Sequence, residues 1–160
     1  MTEQNEAELQ AMLEEIQGEV AERTLPHFDH ADARRIGSAA AALAERDHLP
    51  IVVAANRGQQ RVFHAAFAGT TAEHDDWVRR KLNTTMRHEI PSLEFVLRQQ
   101  LSGHTPEWLD QREFAIAGGA VPIVVAGITV GAIAISGLVG SIREDHDLAM
   151  EALRRARPHP

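Results

Sequence analysis

Residues 114–142 read FAIAGGAVPIVVAGITVGAIAISGLVGSI, and this stretch decides the fold. None of its residues is charged, and it is long enough to cross a bilayer as a helix. Glycines and a proline interrupt it, however, with β-branched residues between them, which is typical of buried strands joined by turns. We therefore favour strands over a membrane-spanning helix, and we place them at residues 113–117, Ala120–Val125 and Ile128–Ser136, the last two joined at Ala126-Gly127.

The chain before this stretch shows two helical patterns and one hairpin pattern. Apolar residues spaced three and four apart predict an amphipathic helix over residues 6–23, ended by Pro26. Asp29 is a suitable N-cap for a second helix reaching about Asp47, whose small inner residues would let it lie flat on a sheet. Residues 51–55 and 61–67 predict two strands joined by a turn at residues 56–59.

Capping boxes predict where two later helices begin. Thr70 followed by Glu73 indicates a helix start, and Pro91 interrupts the helical pattern that follows it. Ser141 followed by Glu144 indicates the start of the terminal helix. The tail after that helix, residues 154–160, is expected to fray.

The elements follow the order α-α-β-β-α-α-β-β-β-α. Hairpin-length connections favour an antiparallel sheet, and the last strand is apolar on both faces, so helices must cover both sides. The sequence therefore predicts an α+β fold with three layers, α/β/α, around a sheet of five strands. One domain is expected over residues 1–160, with residues 1–24 as an N-terminal helix.

Composition limits the classes of function. The chain has 160 residues and a net charge of -7, and it has no basic run with interleaved aromatic residues, so nucleic-acid binding is not expected. It has no cysteine, which excludes disulfides, thiolate metal sites and cysteine nucleophiles. The acidic N-terminus does not look like a secretory signal, and a cytoplasmic location is expected.

Nine histidines are the main soft ligands in the sequence. His27 and His30 lie three residues apart around a helix entrance, where a local polar role is the simpler interpretation and axial ligation of haem the alternative. His146 follows two acidic residues in the first turn of the terminal helix. Those carboxylates suit the helix dipole, and His146 is either a local hydrogen-bonding residue or a ligand at the end of the last strand.

Residues 77–81 place three cations on one helix. A solvated, salt-bridged face is the default interpretation, and the alternative is that Arg80 or Lys81 contacts an anionic group such as a propionate or carboxylate. Gly118-Gly119 lies between strands and so does not fit a dinucleotide or phosphate-binding loop. Ser136 lacks the context of a nucleophile elbow, and no base can be assigned to it.

The sequence resembles the haem-degrading-domain family (GlcG/HbpS-like), and is most similar to its intracellular, uncharacterised branch. The resemblance runs from about His27 to Leu153. It is carried by short matches in the first half of the chain, by a Trp-x-x-Arg-Lys-x-Asn block and by two glycine-rich blocks. The matching residues are His27-Phe28, Ile36-Gly37, Pro50-Ile51, Arg61-Val62-Phe63, Trp77 to Asn83, Ala117 to Ile123, Gly127, Val130-Gly131, Ile135 to Leu138, and Glu144-Asp145-His146. Ile90-Pro91-Ser92 departs from the serine pair that similar sequences carry after the Trp block.

The resemblance implies a profilin-like fold with a five-stranded antiparallel sheet, assembly into homo-oligomers, and a connection to haem. Our leading hypothesis is a cytoplasmic protein that binds a small anionic ligand, with haem or a related tetrapyrrole as the named candidate. His146 and His30 are the expected ligands, and Arg80 and Lys81 the expected anion partners. Two alternatives stay open: an enzyme acting on a small carbonyl or carboxylate metabolite, and a structural or partner-binding protein that docks through its N-terminal helix.

Overall fold

The computed structural model describes residues 1–158, which form six helices and four strands. A break at Gly18-Glu19 separates the first two helices, so the predicted single helix over residues 6–23 is wrong in that detail. In chain order the elements are α1 (Glu3–Gln17), α2 (Val20–Arg23), α3 (His30–Asp47), β1 (Val52–Arg57), β2 (Gln60–Ala66), α4 (Ala72–His88), α5 (Ser92–Ser102), β3 (Ala120–Val125), β4 (Ile128–Ser136) and α6 (Glu144–Ala156).

The strands form one antiparallel sheet in the order β2-β1-β4-β3. The predicted hairpin of β3 and β4 is confirmed at both boundaries. Ala126 and Gly127 turn it with φ values of 50° and 78°, the left-handed backbone that two-residue hairpin loops require. The hairpin of β1 and β2 is also confirmed, with each strand shifted by one or two residues from its predicted bounds.

Helices cover both faces of the sheet, as the apolar pattern of the last strand predicts. Strand β4 points Ile133 and Ile135 into a core shared with α3 and α6. Its alternate residues, Ala132 and Ala134, face α4, where their small size lets that helix lie close to the sheet. The three-layer α/β/α arrangement is therefore confirmed.

The predicted fifth strand, residues 113–117, is wrong. The backbone groups of this segment bond to α4 rather than to a strand: Thr84 Oγ1 donates to the Ala115 carbonyl at 2.8 Å, and the Ala115 amide donates to the Arg80 carbonyl at 3.2 Å. On the outer edge of β3, an isolated parallel bridge joins Thr24 to Val124. The described sheet therefore has four strands rather than five.

The helix starts differ in part from the predicted capping boxes. Asp29 caps α3 as predicted, but α4 is capped by Thr71 with His74, one residue later than the predicted pair. At α6 the Glu144 carboxylate accepts hydrogen bonds from the Gly140 and Ser141 amides, and no side chain caps the helix from its N-cap position.

Two expectations about whole segments are also answered. The expected fraying of residues 154–160 is wrong as far as Ala156, the last residue of α6, while the last two residues of that tail lie outside the described range. Among residues 1–158, no helix combines the length and the apolar character needed to cross a membrane.

Candidate functional site

A buried ion pair joins α4 to the first turn of α6. Lys81 Nζ donates to Asp145 Oδ2 at 3.0 Å and to the Ile135 carbonyl at 2.9 Å, and its side chain is only 4% exposed. The other oxygen of Asp145 accepts from the Leu138 amide at 3.0 Å. Burial lowers the pKa of the Lys81 ammonium, and the neighbouring Asp145 carboxylate acts against that effect.

Gly119 makes the close approach of these groups possible. Its φ of 132° lies in a region that side chains rarely adopt. A Cβ built there would lie 2.3 Å from the Ile135 carbonyl oxygen and 3.0 Å from Lys81 Nζ. The absence of a side chain at Gly119 therefore leaves room for the buried ammonium.

Lys81 lines a cleft of about 340 Å³, which we call the Lys81 cleft. Helix α4 contributes one wall, because residues spaced three and four apart share one helix face. The opposite wall is the segment that leads from β4 to α6. The lining residues are Glu73, His74, Trp77, Lys81, Ala117, Ser136, Gly137, Leu138, Val139 and Asp145. Lys81 and Asp145 also line a smaller neighbouring cleft of about 250 Å³.

The cap of α4 fixes the tautomer of His74 in this cleft. Its Nδ1 accepts a hydrogen bond from the Thr71 amide at 3.0 Å, so the neutral ring carries its proton on Nε2. Nε2 is therefore a hydrogen-bond donor. It suits an oxygen of a bound molecule and does not suit a metal ion, which needs a nitrogen lone pair.

A second cleft of about 340 Å³, the His88 cleft, lies at the other end of α4. It is lined by His88, Ile90, Phe95, Arg98, Gln99, Ser102 and Pro106. The His88 ring packs against Phe95 with a centroid distance of 4.6 Å and stacks on Trp108 at 5.8 Å. Its Nδ1 bonds to the Thr84 carbonyl at 2.9 Å. Because a carbonyl oxygen only accepts, Nδ1 is the protonated nitrogen of the neutral ring, and the lone pair of that ring is on Nε2.

The structure does not bring the four sequence-predicted ligand residues together. His146 is fully buried, with Nε2 2.8 Å from Glu19 Oε2 and with Nδ1 buried and unpartnered among the described residues. His30 is exposed at the start of α3, beside Gln60 at 3.0 Å. The roles proposed for these two residues from the sequence stay predictions.

Arg80 and Lys81 are neighbours on α4 whose side chains have separate partners. Arg80 bonds to Asp76 at 2.9 Å and lies over the Trp77 ring at 4.1 Å, which corresponds to the salt-bridged interpretation of this segment. Lys81 instead pairs with Asp145. Of the four predicted residues, Lys81 alone lines the Lys81 cleft, and the anion contacts predicted for the pair stay predictions.

His27 lies in a cluster with Asp29 and Asp32 whose candidate ligand atoms are all within 4.8 Å of one another. The same atoms already serve the start of α3, because Asp29 and Asp32 bond reciprocally to each other's backbone amides. His27 Nδ1 adds a bond of 2.8 Å to Asp32. Burial opposes ionisation of Asp32, but its hydrogen bonds with Asp29, Arg35 and His27 outweigh that and lower its pKa to about 2. The cluster is therefore a helix cap.

Sequence reasoning missed His74, and it missed the His88 cleft. His74, Trp77 and Lys81 follow a spacing of three and four, so one stripe of α4 could have been recognised as a shared face. The environment of His88 could not have been recognised in this way, because Phe95 and Trp108 come from α5 and from the following loop.

Comparison with known sequences gives matches over most of the chain. A UPF0303 protein of Streptomyces avermitilis is 37% identical over 150 residues, which cover 91% of each chain. A UPF0303 protein of Mesorhizobium japonicum is 39% identical over 132 residues, covering 80% of this chain and 78% of the relative.

Solved structures share the fold at lower identity. The Ybr137w protein matches with a TM-score of 0.81 and 23% identity, covering 98% of this chain and 95% of that one. HbpS matches with a TM-score of 0.67 and 19% identity, covering 81% and 89%. A PduOC:heme complex matches with a TM-score of 0.65 and 21% identity, covering 79% and 93%.

A family model described as "Haem degrading protein HbpS-like" matches residues 28–154, the same part of the chain that carries the sequence resemblance. Together with relatives above 30% identity over most of the chain, this match establishes the family. The protein belongs to the HbpS-like family of haem-degrading proteins.

Proposed function

We propose that this protein is a cytoplasmic homo-oligomer that binds a small anionic ligand, haem or a related tetrapyrrole, with His88 as the imidazole that meets the iron. Membership of the HbpS-like family supports the ligand class, and a structural neighbour of the same fold is a complex with heme. The observation that carries the choice of residue is the hydrogen bond from His88 Nδ1 to the Thr84 carbonyl. Such a bond is typical of metal-ligating histidines, because it orients the ring and frees the other nitrogen.

The surroundings of His88 fit a planar aromatic ligand. Phe95 and Trp108 both pack against the imidazole, and Ile90, Phe95 and Pro106 give the cleft the apolar and aromatic lining that tetrapyrrole rings pack against. Among residues 1–158, His88 Nε2 has no hydrogen-bond partner. By contrast, His74 carries its proton on the outer nitrogen, and His146 has no exposed surface through which an iron could reach it.

Cationic side chains beside this cleft suit the carboxylates of a tetrapyrrole. The Arg87 guanidinium lies 4.4 Å from the Trp108 ring and lines a neighbouring cleft together with Phe114, and within residues 1–158 it has no acidic partner. Arg98 lines the cleft but is already paired with Glu94. Arg87 is therefore the better partner for a propionate.

The cleft covers only part of such a ligand. A volume of about 340 Å³ is at the small end of ligand pockets. A tetrapyrrole would be held by one edge, and a second subunit could cover the rest, in agreement with the proposed homo-oligomer. Bound haem would supply the redox chemistry of its iron, while the protein would supply the imidazole, the aromatic walls and the cation.

A haemin titration followed at the Soret band tests this proposal. We expect a saturable red shift in the wild-type protein and a loss of affinity of about tenfold or more in His88→Ala. His30→Ala is the matched control on an exposed histidine, and it should bind like the wild type. No Soret shift, or a shift that survives in His88→Ala and is lost in His30→Ala or His146→Ala, overturns the assignment to His88.

A further inference from the structure

Lys81 is unusual in this sequence before its structure is considered. Of the 16 Lys and Arg residues, Lys81 alone is a lysine. The two cations differ chemically, because arginine stays protonated in proteins whereas a lysine can lose its proton and become a nucleophile. The one cation capable of this chemistry is buried, while arginines supply the ion pairs at the surface.

Lys81 is also buried, whereas the residues of a simple surface ion pair are exposed. Lys81 lines the Lys81 cleft, and the two hydrogen bonds of its Nζ, to Asp145 and to the Ile135 carbonyl, leave one of the three ammonium hydrogens without a partner among residues 1–158. Nearby Gly119 has no side chain to block the group. Burial lowers the pKa of Lys81 and so favours the neutral amine, against the attraction of Asp145.

We propose that Lys81 is a nucleophilic amine that forms an imine with a small aldehyde or ketone entering the Lys81 cleft. The ammonium first transfers a proton to Asp145, which lies 3.0 Å away. The neutral amine then adds to the carbonyl carbon. The carbonyl oxygen takes one proton from the adding amine and a second from protonated Asp145, and it leaves as water, so that a protonated imine remains beside the Asp145 carboxylate. One C–N double bond forms, one C–O double bond breaks, and hydrolysis reverses the step without any oxidant or reductant.

Other residues of the cleft suit a carbonyl compound. His74 presents Nε2–H as a donor for an oxygen of the substrate, because its Nδ1 is committed to the cap of α4. The Trp77 side chain adds an aromatic part to the same wall. The volume of about 340 Å³ suits a small molecule. We assign His74 a positioning role, and Lys81 the covalent one.

Reductive trapping tests the imine directly. The folded protein is incubated at pH 7 with glyoxylate or with acetaldehyde in the presence of cyanoborohydride, and adducts are located by peptide mass spectrometry. With a single lysine in the chain, only Lys81 and the N-terminal amine can be labelled. We expect Lys81 of the folded protein to be labelled at least about tenfold faster than the same residue in urea-unfolded protein.

The comparison of folded and unfolded protein does not depend on a variant that must fold. His74→Ala should slow the labelling of Lys81, and Lys81→Arg should leave only the N-terminal adduct. Labelling of Lys81 that is no faster in the folded than in the unfolded protein would overturn the proposal and leave Lys81 as a structural ion-pair residue. This outcome is independent of haem binding, because the His88 cleft shares none of its lining residues with the Lys81 cleft.

Discussion

Replacement of Gly119 by alanine should destabilise the protein by more than a glycine-to-alanine change does where the added Cβ meets no other atom. At φ of 132° the backbone is in a region open essentially to glycine, which costs another residue about 1–3 kcal/mol. The added Cβ would also lie 2.3 Å from the Ile135 carbonyl oxygen and 2.9 Å from Asp145 Cβ, so β4 or α6 must move. The hydrogen bond from Lys81 to Ile135 would be disturbed at the same time. We expect a total loss of about 3 kcal/mol or more in the free energy of unfolding.

Urea unfolding followed by circular dichroism measures this loss, and Gly103→Ala is the matched control. Gly103 also has a positive φ, 67°, but a Cβ there would meet no atom within 4 Å. Its replacement should therefore cost only about 1 kcal/mol, from backbone strain alone. Equal losses for the two variants would refute the claim that Gly119 is required by the close approach of Lys81 and Asp145.

Two further predictions concern buried charges. Asp145→Leu should lower the free energy of unfolding by about 3–5 kcal/mol, because it leaves Lys81 without its counter-ion. The double variant Lys81→Met/Asp145→Leu should recover most of that loss in the same urea assay. A double variant as unstable as the single one would contradict the ion-pair explanation. Asp32→Asn should lower the free energy of unfolding by about 2 kcal/mol at pH 7, because the pKa of Asp32 is lowered to about 2 in the folded protein. A lowered carboxyl pKa stabilises the fold above the unfolded pKa, so the difference from wild type should shrink as the pH falls from about 4 to about 2. A difference that is independent of pH would exclude this cause.

Local sequence signals predicted the elements whose partners are near in the chain. The hairpin of β3 and β4 is an example, because Ala126-Gly127 supplies the turn and the strands on either side pair with each other. The failed strand at residues 113–117 shows the opposite case. Its apolar, β-compatible residues could not reveal that Thr84 and Arg80 of α4 would take its backbone hydrogen bonds.

The candidate site could be predicted only in part, because its side chains pair with residues that are distant in the chain. Lys81 could be selected from the cations of residues 77–81, but its partner Asp145 lies 64 residues away in sequence. The burial of His146 depends on Glu19, which is 127 residues distant. Long-range pairing of this kind follows from the tertiary fold, and residue spacing does not encode it.

The most direct test of the proposed function is a crystal structure of the protein grown with haemin. The residue bonded to the iron identifies the ligand without relying on any variant. We predict His88 Nε2 as that ligand, with the Nδ1 bond to the Thr84 carbonyl retained. Iron bound to His30 or His146, or haem absent from crystals grown at a saturating haemin concentration, would contradict it.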